Sequence, residues 1–150
     1  MSDAAQPQSS RLIETLRAIA RYGLGAFLGF AGISHLTWSR QSFLAQVPTW
    51  LPVGAQTVVL LSGLVEITLG LALLLGWRKI IVGWIVAVFF LLVFPGNISQ
   101  FVTRADAFGL DSDVARGIRL LFQPLLVAWA LFSTGAWRAW RRRGNGSQAG

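Results

Sequence analysis

The sequence predicts an all-α fold, a four-helix transmembrane bundle with a short interfacial helix and turn between its first and second helices. Three observations carry that expectation. Hydrophobic residues make up 54% of the 150-residue chain and charged residues only 13%, about half the usual share for a soluble domain, and the mean hydropathy is +0.59. Four apolar stretches follow one another, each close to the roughly 20 residues that cross about 30 Å of hydrocarbon as a helix. The basic residues stand in clusters between and beyond those stretches. No ten-residue alternation of the kind that builds a membrane barrel is present.

Residues 1–10 are polar and rich in Gln and Ser, and they read as a disordered tail. They lack the basic start and cleavage site of a signal peptide, so the first span is expected to be retained. A membrane domain is expected over 11–140 and a basic, polar tail over 141–150. The first span is expected over Ala18–Leu36. Gly25 and Gly29, then Gly32, give it a face of small residues. Such faces let helix backbones approach closely in lipid, and they are read as packing within the bundle rather than as a dimer seam.

The connection to the second span is more than a linker. Phe43, Leu44 and Val47 are apolar, and Pro48-Thr49-Trp50-Leu51-Pro52 follows. Proline has no N–H and restricts the residue before it, so no helix continues through Pro52. A short interfacial helix with a Trp-anchored turn fits this segment. The second span is expected over Ala55–Gly76, with Ser62, Gly63 and Gly70 as its small residues. The third is expected over Ile80–Phe101, broken or kinked at Pro95. That proline leaves the Leu91 carbonyl without a donor, and Asn97 and Gln100 are available to supply one. The fourth is expected over Arg119–Trp137, with Pro124 inside it.

Charge placement sets an orientation. Four spans put both ends of the chain on one side, with Arg11, Arg17, Arg21, Arg78, Lys79, Arg138, Arg141, Arg142 and Arg143. The opposite side holds Arg40, Arg104, Arg116 and Arg119, and its last loop adds Asp106, Asp111 and Asp113. The positive-inside rule then places both termini in the cytoplasm of an inner-membrane protein. Trp38 and Trp50 fall at the outer boundary and Trp77, Trp84, Trp137 and Trp140 near the inner one, as interfacial indoles do; Trp129 lies inside the fourth span. The net charge of +7 is thus distributed along a bilayer. It argues for anionic lipid headgroups as its partner and against nucleic acid.

Chemistry-bearing residues are few. The chain has no Cys, one His and one Met, so no thiol chemistry, metal site or haem is expected. Glu66, near the middle of the second span, is the most informative residue. An ionised carboxylate there costs about 2.5–3.5 kcal/mol to insert, so it needs a partner, a wet cavity or a proton. Ser62, Gly63 and Gly70 share its face, which points Glu66 at neighbouring helices. His35 closes the first span. Arg116, Arg119 and Gln123 form one stripe at i, i+3 and i+7. In a packed bundle, His35, Asn97, Arg119 and Gln123 converge on an outer cavity with Glu66 at its floor.

Several motifs together resemble the DoxX family of small four-helix membrane proteins. They are Ala31-Gly32-Ile33-Ser34-His35-Leu36, the Val47–Pro52 run, Ser62-Gly63-Leu64-Val65-Glu66, Gly70-Leu71-Ala72-Leu73-Leu74, Phe94-Pro95-Gly96-Asn97 and Arg119-Leu120-Leu121-Phe122-Gln123. The resemblance covers about Tyr22–Trp137, with Gly96 standing where relatives often have Ala. It implies a four-helix membrane bundle, and for some members a quinone-reducing role. On that reading Glu66 and His35 are the candidate catalytic residues, and Asn97, Arg119, Gln123 and Ser62 the candidate cofactor-binding ones. An isoprenoid quinone would be the cofactor, with a soluble or membrane redox partner supplying electrons. The competing expectation is a non-enzymatic scaffold, an assembly factor or a binder of a lipid-like small molecule.

Overall fold

The computed structural model describes residues 8–105, 109 and 112–146, and among these it is entirely helical. Six helices form: α1 (Gln8–Leu36), α2 (Arg40–Leu44), α3 (Ala55–Leu75), α4 (Lys79–Thr103), α5 (Asp113–Ser133) and α6 (Ala136–Gly146). Three of them, α3, α4 and α5, are long and apolar enough to cross a membrane. Four spans and a short interfacial helix were expected; among the described residues α6 is a further helix, and the count of four spans is not reached. Asp106 and Asp111 lie outside the described residues.

Helix boundaries follow local chemistry. Helix α1 starts at Gln8, ten residues before the expected Ala18, and runs for 29 residues. Nothing between Gln8 and Ala18 breaks a helix, since Leu12, Ile13, Glu14, Leu16 and Arg17 are all tolerated in one. The five residues of α2 form the expected short helix, and the chain then turns through Pro48–Leu51. Helix α3 stops at Gly76, whose φ of 68° suits a residue without Cβ. Only Trp77 and Arg78 separate Gly76 from α4. Helix α4 continues unbroken through Pro95. The fourth expected stretch starts six residues earlier, at Asp113, and ends four residues earlier, at Ser133. Ser112 caps α5 by accepting from the Ala115 N–H at 3.2 Å, and Asp113 sits in its first turn, where negative charge is favoured. Gly135, with φ 71°, separates α5 from α6 and assigns Trp137 to α6.

Helices α1 and α3 run antiparallel in the closest packing of the molecule, and α4 and α5 form a second close pair. Helix α1 also touches α5, and α3 touches α4. Leu24, Leu28, Leu69, Leu73, Val82, Val86, Ala87, Phe90 and Ala130 form the core between them. The outward faces are as apolar as the core: Leu61, Leu64, Leu71, Ile85, Val88, Leu92 and Leu125 are all exposed. A helix apolar on all sides suits a hydrocarbon surrounding. Trp129 is partly buried against the core. Its indole N–H donates to the Ala20 carbonyl at 2.8 Å and so ties α5 to α1.

The α1–α3 seam is built from glycines seven residues apart. A Cβ on Gly25 would lie 2.9 Å from the Gly70 carbonyl oxygen, and one on Gly70 would lie 2.7 Å from that of Gly25. Gly32 and Gly63 oppose each other in the same way one heptad further along. Backbone meets backbone at both places, which requires residues without side chains.

Candidate functional site

The glycine seam brings Glu66 and His35 together. Gly63 lies one turn before Glu66 and has no side chain, so the His35 Cβ rests directly above it; a Cβ there would lie 2.8 Å from that of His35. The imidazole can then reach along α3. His35 Nδ1 lies 2.7 Å from Glu66 Oε2, and the two residues are 5% and 8% exposed. A lone pair on Nδ1 facing a carboxylate oxygen at that distance would be repulsive. The imidazole Nδ1–H therefore faces the carboxylate oxygen, in a close ion-pair contact without the alignment of a full hydrogen bond. Glutamate beside imidazolium and glutamic acid beside imidazole are the two neutral forms of the same pair. A short proton transfer between the partners interconverts these two forms without moving any heavy atom. The Phe43 ring packs edge-on against His35 and closes the pair from the α2 side.

A second polar cluster joins α4, α5 and the segment after α2. Asn97 donates to Gln123 Oε1 at 2.9 Å, and the Gln123 amide donates to the Phe90 carbonyl. The Arg119 guanidinium donates to Asn97 Oδ1 at 3.3 Å and to Gln46 Oε1 at 3.1 Å. Gln46 in turn donates to Gln100 Oε1 at 3.1 Å, and Gln100 to the Ala105 carbonyl at 3.4 Å. Gln46, Gln100 and Gln123 are buried, and burial of such amides requires partners of this kind.

Asn97, Arg119 and Gln123 thus meet one another and His35 meets Glu66, where a single convergence of all five was expected. The two groups are distinct clusters bridged by one segment, with Phe43 on His35 and Gln46 in the amide cluster. Three expectations are corrected by the geometry. The Ser62 hydroxyl turns back onto the Val59 carbonyl of its own helix at 3.0 Å, as mid-helix serines do. Arg116 leaves the expected stripe and pairs at 2.9 Å with Asp113, one turn earlier. The side chain that reaches the α4 backbone before Pro95 is Gln123 of α5, while Asn97 and Gln100 serve the cluster. Gln46 is the site residue that sequence reasoning missed. Its signal was present: a single amide within Phe43-Leu44-Ala45-Gln46-Val47 has no reason to be buried without a partner.

Residues 24–134 match the family described as the domain of unknown function DUF8561, and the chain belongs to that family. No curated protein and no solved structure matches the chain. The family assignment overturns the resemblance to DoxX. Bundles of membrane helices draw on the same small residues, prolines and interfacial tryptophans whatever their ancestry, so short runs of those residues recur across families.

Proposed function

We propose that this DUF8561 member is a multi-pass inner-membrane protein whose His35–Glu66 pair is a proton-exchanging binding site for a lipid-soluble small molecule. One observation carries the reading: a carboxyl and the chain's only imidazole are buried together at 2.7 Å in the glycine seam, under the Phe43 ring. Burying two ionisable groups costs several kcal/mol per ion before their attraction is counted. Apolar residues would hold the seam at no such cost. Quinones are the chemical class to test first, because their carbonyls accept hydrogen bonds and their reduction consumes protons. The donors of the amide cluster are engaged with one another, so His35 and Glu66 are the groups left to meet such a ligand.

In this reading α1 is the fourth span. It is as long as the others and packs along α3, and Arg21 and His35 account for its lower hydropathy. Both termini lie on the cytoplasmic side, because the basic ends of α1 and α4 and the α5–α6 turn gather at one end of the bundle, as the positive-inside rule requires.

The test is mass spectrometry of lipids that co-purify with the detergent-extracted protein, wild type beside Glu66→Gln. Near-stoichiometric quinone in the wild type, reduced in the variant, supports the site. Quinone at the level carried by an unrelated membrane protein, in both, removes it. A second reading rests on the amide cluster. Its hydrogen bonds run from the Phe90 carbonyl to the Ala105 carbonyl and lock the segment after α2 onto α4 and α5, which suits a rigid scaffold for a membrane partner. That reading predicts a wild-type phenotype for Glu66→Gln.

A further inference from the structure

The end of the bundle remote from His35 and Glu66 holds a cavity of about 300 Å³. Arg21, at its edge, is fourteen residues before His35, or about 21 Å along a helix. The cavity is lined by Arg17, Arg21, Lys79, Arg138 and Arg142, with Glu14 as its one acidic side chain. Three elements supply the cations: the first half of α1, the start of α4, and α6. They are far apart in sequence, so the fold gathers them.

Glu14 does not neutralise this set. It accepts from Arg17 at 3.1 Å and lies 3.4 Å from Arg138, so one carboxylate is shared between two guanidiniums. Arg21 is turned to the Leu73 carbonyl at the end of α3. Lys79 and Arg142 have no ion pair among the described residues. Arg17 is held in place, its guanidinium 5.5 Å from the Phe132 ring centroid, and its side chain is 13% exposed. Its Nε is nevertheless buried with no hydrogen-bond partner. A buried charge-assisted donor without an acceptor is costly, and here it borders a cavity. The cavity also meets the start of α4 at Lys79 and Ile80, an end that no side chain caps. Helix N-termini attract anions.

We infer that this cavity binds the phosphate of an anionic phospholipid headgroup. Its chemistry asks for a compact anion with several acceptor oxygens, which bidentate arginine contacts hold well. Its volume lies at the lower end of ligand pockets and suits a headgroup without its acyl chains. Its level argues for a lipid source over a soluble one. Trp77, Trp137 and Trp140 are exposed beside it in sequence, and indoles of this kind sit at the headgroup layer.

The experiment uses the full chain purified in detergent and equilibrated with phosphatidylglycerol or phosphatidylcholine, with retained lipid measured by mass spectrometry. Wild type should retain phosphatidylglycerol in preference to phosphatidylcholine. In Lys79→Gln/Arg142→Gln the preference should fall about 30-fold, from about 1 kcal/mol per basic residue. Both side chains are exposed, so the fold is not at stake. Arg141→Gln/Arg143→Gln removes the same charge from α6 outside the cavity lining and should retain most of the preference. Equal losses in the two double variants would overturn the cavity in favour of diffuse attraction to a basic helix. No preference in the wild type would overturn it outright. Displacement of the lipid by millimolar inorganic phosphate would keep the phosphate chemistry and overturn the lipid source.

Discussion

Gly32→Ala and Gly29→Ala differ by one helical turn and should differ in sign. An Ala Cβ at position 32 would lie 2.5 Å from the Gly63 carbonyl oxygen, 2.7 Å from Ile67 Cγ1 and 2.9 Å from the Ile67 nitrogen, whereas ordinary contact begins at 3.4 Å. Two of those atoms are backbone, so relief requires α1 and α3 to separate by about 0.5–1 Å. A gap of that size forfeits a quarter to a half of the dispersion energy at the contacts it opens, and overpacking of this kind costs about 1–3 kcal/mol. The same movement lengthens the 2.7 Å His35–Glu66 contact and weakens it. At position 29 a Cβ meets nothing within 4 Å, so only the helix-propensity gain of about 0.5–1 kcal/mol remains. Both variants carry that gain, and their difference isolates the steric cost. The assay is reversible SDS-induced unfolding in mixed micelles, followed by far-UV circular dichroism. Gly32→Ala should be less stable than Gly29→Ala by about 1–3 kcal/mol. Equal stabilities would refute the backbone-to-backbone seam.

Glu66→Leu alone strands the His35 N–H in the seam and should cost about 1–3 kcal/mol. His35→Leu combined with Glu66→Leu should recover most of that, since replacing both partners of a buried polar pair is often neutral; strictly additive losses would show that the residues do not interact. Gln123→Leu removes the donor to the Phe90 carbonyl and the acceptor for Asn97 together. Amide hydrogen exchange over residues 90–97 should accelerate in that variant, and unchanged exchange would mean that the amide cluster does not support α4 near its proline.

The elements that were legible in the sequence are those decided locally. Apolar runs set α3 and α4, and Gly76 marked the end of α3 because few other residues take its backbone conformation. The inward face of Glu66 was legible from Ser62, Gly63 and Gly70 at helical spacing. Its partner was not, because the meeting with His35 depends on how α1 is rotated and how far it slides along α3. Neither quantity has a local signature. The start of α5 lies earlier than apolar content alone indicates, because Ser112 caps the helix by accepting from the Ala115 N–H ahead of Arg116 and Arg119. Gln46 carries a local signal, a lone amide in an apolar run, but its partners, the Gln100 amide of α4 and the Arg119 guanidinium of α5, are remote in sequence.

The glycine seam also bears on how the chain enters a bilayer. Every group that makes it lies between Arg21 and Leu74, with Arg21 fastened to the end of α3 and His35 to its middle. The polar contacts of the seam itself are therefore all made within the first helical hairpin, before α4 and α5 leave the ribosome. Glu66, which alone would resist insertion, has its acceptor role filled by a residue synthesised earlier. The chain can be delivered to the membrane in two instalments, with the ionisable pair already sealed within the first.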